Sequence, residues 1–423
     1  MTDYYKLVTE KKQEQSELDK RMQADVDLLY LNKYVLRDSA DKAVPDIINI
    51  TLNRPAVFGA NVVASIGNAK QQVVVESDDK KIDTHEVESF LDAAMATANR
   101  RLWKEKLPLL NPFADVQFCF RGRTARRVLL YQKDGKTVVN IMPWDGRYVY
   151  DLGDSAMAYQ TLRTKAEIER DYGAKIALKV SGIKDIPVLD VWDKTHNEVW
   201  VQNFIALEQG HNYGFTPVVS QTVLLGYGPM LLDKNWQKHD GESIFFMIRD
   251  IVPELNRLAS ILQTLNMNQL KAALQYKNPE GSPQDEPPER PQMGDVVSVG
   301  KGAIEPINLG EARVAAQMLY TIMEKAFQEG SYTDIDIGNV QQPFSAVALV
   351  TIGENKDMVY MPRLAAKELL NVATAEMLVE QALQIGGSIE LGAPGHKRSF
   401  NTAKLQGEYS INYKYFVKSP KID

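Results

Sequence analysis

The chain has 423 residues, 44% hydrophobic and 25% charged, a balance that predicts two or three packed units and excludes wholesale disorder. Fifty-five acids against 49 bases leave a formal charge of −6, which excludes a protein that grips nucleic acid through a broadly basic surface. The single cysteine, Cys119, excludes an intramolecular disulfide or a multi-thiolate metal site. A charged start (Lys11, Lys12, Glu14, Glu17) and the lack of a long apolar run predict neither signal peptide nor transmembrane helix.

In chain order, residues 3–36 read as helix, with Met22, Val26, Leu29 and Tyr30 as a thin apolar stripe. Residues 47–52 read as a short β segment and Asn53-Arg54-Pro55 as a turn. A second helix is expected over 83–106, with Phe90, Leu91, Ala94, Met95, Ala98 and Leu102 on one face. The alternation in 116–120 predicts a strand, in which Cys119 is a small buried hydrophobe rather than a nucleophile. Residues 128–131 and 138–142 flank Asp134-Gly135, a strong hairpin signal. Residues 148–150 read as a further short strand. Thr164 and Glu167 form a reciprocal capping pattern that opens a helix ending at Gly173. A second hairpin is expected from residues 188–192 and 199–204.

Beyond about residue 235 the pattern turns helical. Ile244, Ile248, Ile251, Leu255, Leu258, Leu262 and Leu265 are spaced +4, +3, +4, +3, +4, +3, an apolar seam expected to lie against partner helices and to form a subunit interface. Pro253 predicts a kink or restart within it, and helix is expected again over 266–276. A segment with five prolines between 278 and 291 then breaks the helix. It carries Glu280, Asp285, Glu286, Glu289 and Asp295 against Arg290 alone, and a brief strand is expected at 295–299. A return helix is expected over 311–329, with Ala312, Ala315, Leu319, Ile322 and Ala326 in rhythm and Gly330 as its stop. A polar loop leads into a long, bent helix over 345–385, interrupted by Gly353 and Pro362 and ended by Gly386-Gly387. Alternation at Tyr409, Ile411, Tyr413, Tyr415 and Val417 predicts a final strand.

No enzyme motif stands out. Gly300-Lys301 lacks the spacing and the Ser or Thr of a phosphate loop, and Gly226-Tyr227-Gly228 is followed by Pro229. The five histidines (His85, His196, His211, His239, His396) are scattered, so neither a metal nor any other cofactor is expected. Arg121, Arg123, Arg126 and Arg127 crowd one short stretch. They read as a solvated turn or as a contact to a neighbouring subunit or to DNA phosphates.

The residues Ile50-Thr-Leu-Asn-Arg-Pro-Ala-Val-Phe, Ile141-Met-Pro-Trp-Asp-Gly-Arg-Tyr-Val-Tyr-Asp, Val188-Leu-Asp-Val-Trp-Asp and Asn212-Tyr-Gly-Phe-Thr-Pro follow one another in this order. With the helix, excursion, return helix, polar loop and long broken helix after them, the chain resembles the portal proteins of tailed bacteriophages over about 40 to 385. That resemblance implies an α+β fold: a mixed α/β wing (1–235), a stem helix (236–276), a clip (277–310) and a return stem helix (311–330). A tunnel loop (331–344), a long kinked wing helix (345–385) and a C-terminal strand region returning to the wing or leading to a crown (386–423) complete it. No convincing crown helices follow residue 385.

The implied function is a non-enzymatic dodecameric ring at one capsid vertex of the virion, assembled in the host cytoplasm. Double-stranded DNA would pass through its channel without sequence specificity. The terminase large subunit, head-completion or adaptor proteins, and the major capsid or scaffolding protein would dock on it, with no membrane involved. The site residues so implied are Tyr332, Asp334, Asp336, Asn339, Gln341 and Gln342 of the tunnel loop and the five acids of the clip. The loop has no lysine, unlike many portal tunnel loops. Two other readings are another ring-forming structural or scaffold protein without DNA passage, and a soluble phosphate-handling transferase built on the arginine cluster.

Overall fold

The computed structural model describes residues 3–153, 156–225, 236–270, 274–277, 303–306, 311–331, 346–393 and 395–416. Helices α1 (Tyr4–Glu14), α2 (Ser16–Leu29) and α3 (Arg54–Gly67) precede β1 (Lys70–Glu76), α4 (Thr84–Lys104) and α5 (Leu110–Phe120). The strands β2 (Arg123–Lys133), β3 (Lys136–Asp145), β4 (Val149–Asp151) and β5 (Met157–Arg163) follow. Next come α6 (Lys165–Tyr172), α7 (Ala174–Lys179), β6 (Ile186–Trp192), β7 (His196–Val201), β8 (Phe204–Gly210) and β9 (Val218–Thr222). The remaining elements are α8 (Ile251–Leu270), β10 (Leu274–Lys277), β11 (Ala303–Pro306), α9 (Glu311–Gly330), α10 (Ala346–Ile385), β12 (Ser388–Ala393), β13 (His396–Asn401) and β14 (Ser410–Phe416). The α+β class expected from the sequence is observed.

These elements pack into two units, residues 1–30, 56–246 and 340–423 in one, 31–55 and 247–339 in the other. The first gathers most of the expected wing, the long helix and the C-terminal strand. The second holds α8, β10, β11 and α9 and also takes residues 31–55, which were expected in the wing, while residues 236–246, expected at the start of the stem, fall in the first.

In the first unit all strand pairing is antiparallel: a β3-β2-β9 sheet, a β4-β5-β6-β7-β8 sheet, and the pairs β1-β14 and β12-β13. The turn between β2 and β3 is the expected one, with Asp134 at φ 52° and Gly135 at φ 70°, the left-handed pair that a two-residue hairpin turn requires. Thr164 and Glu167 close the expected capping box of α6, and Gly173 ends it at φ 89°. The apolar face of α4 is buried as expected at Phe90, Leu91, Ala94, Ala98 and Leu102, and packs with Leu370 and Leu378 of α10 and Phe400 of β13. The final strand pairs with β1, so the C-terminal region returns to the unit that holds the N-terminus.

Several expectations are corrected. Residues 116–120 belong to α5, not to a strand; Leu110, Ala114 and Phe118 recur at helical spacing on its buried side. Asn53-Arg54-Pro55 leads into α3, where a proline in the first turn removes an N–H that has no helical partner anyway. Residues 244–250 form turns rather than helix, and α8 begins only at Ile251, with Pro253 in its first turn. Past Leu270, residues 274–277 form β10 rather than continuing the helix. The long helix runs unbroken by Gly353 over its 40 residues, with Pro362 inside it and the Arg363 guanidinium donating to the Val359 carbonyl at 2.8 Å. The strand expected at 295–299 lies outside the described residues.

The chain crosses itself closely at Gly122, just past α5. A Cβ added there would lie 1.6 Å from the Gly241 carbonyl oxygen, and both glycines have positive φ (75° and 65°). Gly122→Ala meets a steric and a conformational penalty together. It is expected to lower the denaturant midpoint by the equivalent of about 2 kcal/mol or more, measured by urea unfolding.

Candidate assembly surface

Within the second unit, residues 48–52 lie extended along α8 and are held by its side chains. The backbone N–H of Ile48 donates to Thr264 Oγ1 at 3.0 Å, that of Ile50 to Ser260 Oγ at 2.9 Å, and that of Leu52 to Asn256 Oδ1 at 2.9 Å. Two residues of extended chain advance about 6.6 Å, and four residues of helix advance about 6 Å. Every second N–H therefore meets every fourth helix position, in antiparallel register. The Ser260 and Thr264 hydroxyls donate in turn to the carbonyls of Asn256 and Ser260, each at 2.7 Å. On the odd positions, Asn49 Oδ1 accepts from the Leu36 N–H and Thr51 Oγ1 from the Tyr34 N–H, both at 2.8 Å. The β character expected for 47–52 is thus real in backbone shape, but the partner is a helix face and a neighbouring loop.

The apolar seam is mostly consumed within one chain. Ile244 lies in the other unit, where its N–H donates to the Cys119 carbonyl. Ile248, Leu255 and Leu258 are buried, at 0%, 1% and 4% exposure, while Ile251, Leu262 and Leu265 are half-buried. A subunit interface along this seam is therefore not what the structure presents: its central residues already have neighbours in the same chain. Against α8 packs α9, anchored by buried Phe327, over whose ring Arg54 sits at 5.7 Å while also pairing with Glu324. Gly330 ends α9 as expected, close enough to Ile248 that a Cβ there would lie 2.9 Å from its methyl.

Among the described residues of this unit, α9 carries an exposed apolar stripe. Val314 and Met318 are each 69% exposed and Ile322 54%, a stripe at four-residue spacing, with Leu319 beside it. Ala315, Leu319 and Ile322, expected to face the partner helix, are on the open side instead. The same unit also exposes Met247 and Ile48, on different elements.

The arginine cluster is not a free cationic patch. Arg121 pairs with Asp145 at 3.4 Å and donates to the Met22 carbonyl. Arg123 is buried on β2, and desolvation holds its guanidinium below the usual range against the pull of Asp240 and Asp19. Arg126, 1% exposed, donates to Asn371 Oδ1 at 2.7 Å, and burial pushes its pKa down to about 10. Arg127 pairs with Asp190 at 2.9 Å over the Trp192 ring. The expected solvated turn, and with it a subunit or DNA contact, is corrected: three of the four arginines belong to β2, the middle strand of its sheet. Cys119 is fully buried, its thiol pushed up to about 12 chiefly by desolvation, which suppresses the nucleophilic thiolate.

The tunnel-loop residues Tyr332, Asp334, Asp336, Asn339, Gln341 and Gln342 and the clip acids Glu280, Asp285, Glu286, Glu289 and Asp295 lie outside the described residues. Among the described residues no cluster of metal-ligating side chains occurs, and no helix is long and apolar enough to cross a membrane. The protein-family models and the curated proteins contain no match to this chain.

Sequence reasoning missed the polar rungs. Asn256, Ser260 and Thr264 are small polar residues at four-residue spacing beside an apolar seam, a signal that a helix face has polar work inside the fold. Ser260→Ala leaves the half-buried Ile50 N–H without its acceptor. It is expected to cost about 1–3 kcal/mol, read as a lowered urea midpoint.

Proposed function

We propose that this protein is a ring-forming structural protein of the portal class, a conduit for double-stranded DNA at a capsid vertex rather than an enzyme. The observation that carries the reading is the open apolar stripe of α9. Its helix returns from an excursion closed by the β10-β11 hairpin and leads on to the 40-residue α10. A helix covered by α8 on one side and left apolar on the other requires a further neighbour, and a second copy of the chain is the simplest one. Exposed Met247, just before the start of α8, offers a different contact for that copy to meet. Contact between unlike patches is head-to-tail, and such contacts close into rings when the rotation allows. Burying each of Val314, Met318 and Ile322 would contribute up to about 1.5–3 kcal/mol before the cost of association.

The DNA-conduit part of the proposal rests on order and charge. In the resemblance, the proline-rich acidic segment between β10 and β11 and the polar loop after α9 line the channel. Acidic groups there repel phosphate and release no counterions, so a duplex would slide without being held. A chain of formal charge −6 suits a passenger better than a ligand. Motor and adaptor proteins would dock on the clip, and capsid or scaffolding protein around the wing. The transferase reading loses its basis, because the arginines it relied on are buried or paired.

Negative-stain microscopy with multi-angle light scattering of the purified chain tests this. A ring with a lumen wide enough for a duplex is expected; monomers or dimers at micromolar concentration would overturn it. A closed ring with a lumen too narrow for a duplex would favour the scaffold reading. Met318→Glu with Ile322→Glu is expected to reduce the particle to monomer while leaving the far-ultraviolet circular dichroism unchanged. An unaltered ring in that variant would place the interface elsewhere.

A further inference from the structure

We propose that the cavity framed by the C-terminal end of α4, the β2-β3 turn and the β12-β13 hairpin binds a phosphate-class oxyanion. It encloses about 510 Å³, within the range of small-molecule sites, and lies wholly in the first unit. Its lining brings Arg100, Arg101 and Lys104 from α4, Lys136 from the start of β3 and Lys397 from β13 around one space. Against these five cations stand two carboxylates, Glu105 and Glu390, and both are already engaged. Glu105 Oε1 accepts from Arg101 Nε at 2.8 Å, and Glu390 Oε2 takes Lys397 Nζ at 3.2 Å. Arg100, Lys104 and Lys136 make no ion pair among the described residues.

Glu105 holds one edge of the Arg101 guanidinium through Nε, and the side chain remains 31% exposed. A guanidinium so held keeps further donors for an oxyanion, and its fork geometry suits phosphate. The walls are set in advance: Thr97 Oγ1 donates to the Ala93 carbonyl and accepts the Gly392 N–H, tying β12 to α4. Cations at the end of a helix also answer its dipole. That accounts for Arg100, Arg101 and Lys104, but not for Lys136 and Lys397, which come from other elements. The surplus of three positive charges exceeds what one carboxylate neutralises, which favours a multiply charged phosphate.

Such a group arrives either as a free polyphosphate or in a nucleic-acid backbone. Isothermal titration with inorganic pyrophosphate, and anisotropy of a short fluorescein-labelled duplex, distinguish the two. Pyrophosphate binding weakened about tenfold or more by Arg101→Gln with Lys136→Gln, but not by Lys184→Gln outside the cavity, supports the site with a free anion as ligand. Duplex binding weakened by the same pair and competed by pyrophosphate supports it with a backbone as ligand. If the double variant loses its fold, Arg100→Gln with Lys136→Gln, both exposed and unpaired, serves instead. Binding of neither probe, or binding that these substitutions leave unchanged, overturns the proposal.

Discussion

Everything distinctive about the second unit follows from a coincidence of two repeats, the extended chain and the α-helix. Residues 48, 50 and 52 present their N–H groups on one side, and Asn256, Ser260 and Thr264 stand at matching heights on α8. Buried backbone N–H groups must find acceptors, and ordinarily a strand supplies them. Here helix side chains do so, and the segment needs no sheet. The arrangement commits one side of α8 to residues 48–52. With α9 packed on it as well, Leu255 and Leu258 end up inside. The seven-residue rhythm of the sequence is therefore an internal packing rhythm, and the surface left over moves to the next helix.

The first unit is organised around charges taken out of water. Arg21 and Glu242, 0% and 1% exposed, lie 3.3 Å apart, and Arg21 also donates to the carbonyls of Arg121, Asp240 and Gly241. The Arg363 guanidinium donates to the Glu242 carbonyl at 3.2 Å, and His239 Nδ1 lies 2.7 Å from Glu242 Oε1. Nearby, Lys367 and Asp115 pair at 2.7 Å with both side chains buried. Ions so placed persist only when paired and hydrogen-bonded, and removing one partner strands the other. These links join α2, α5 and α10 to the turns before α8 through polar contacts of fixed geometry, and they use arginine for internal wiring. Arg126, bonded to Asn371 of α10, is of the same kind.

That usage explains much of what was and was not legible. Local chemistry was readable: the Thr164-Glu167 box, the Asp134-Gly135 turn and the stops at Gly173, Gly330 and Gly386 depend on few residues and appear as expected. The face of α4 was readable because six apolar positions share one period. The strand expected at 116–120 failed because five alternating residues cannot separate a strand from a buried helix end. The helix expected through 244–250 failed because apolar spacing does not reveal that Pro253 belongs to a first turn. Clustered arginines look solvated in sequence, and only the position of β2 in mid-sheet shows that they are not. The placement of 31–55 beside α8 depends on hydrogen bonds spanning about two hundred positions, which no local pattern carries.

The α9 stripe and the cavity beside α4 differ in kind, and the difference bears on function. The α9 stripe is apolar, narrow and one-sided, the form expected of a contact that is buried once and kept. The cavity beside α4 is polar, cationic and walled by three elements, the form expected of a ligand that arrives and leaves. A protein that merely filled space would have no use for either, since an exposed stripe invites association and a surplus of like charge is costly to hold. The two surfaces lie in separate units, so the proposed assembly contact and the proposed phosphate cavity are probed by substitutions in different units.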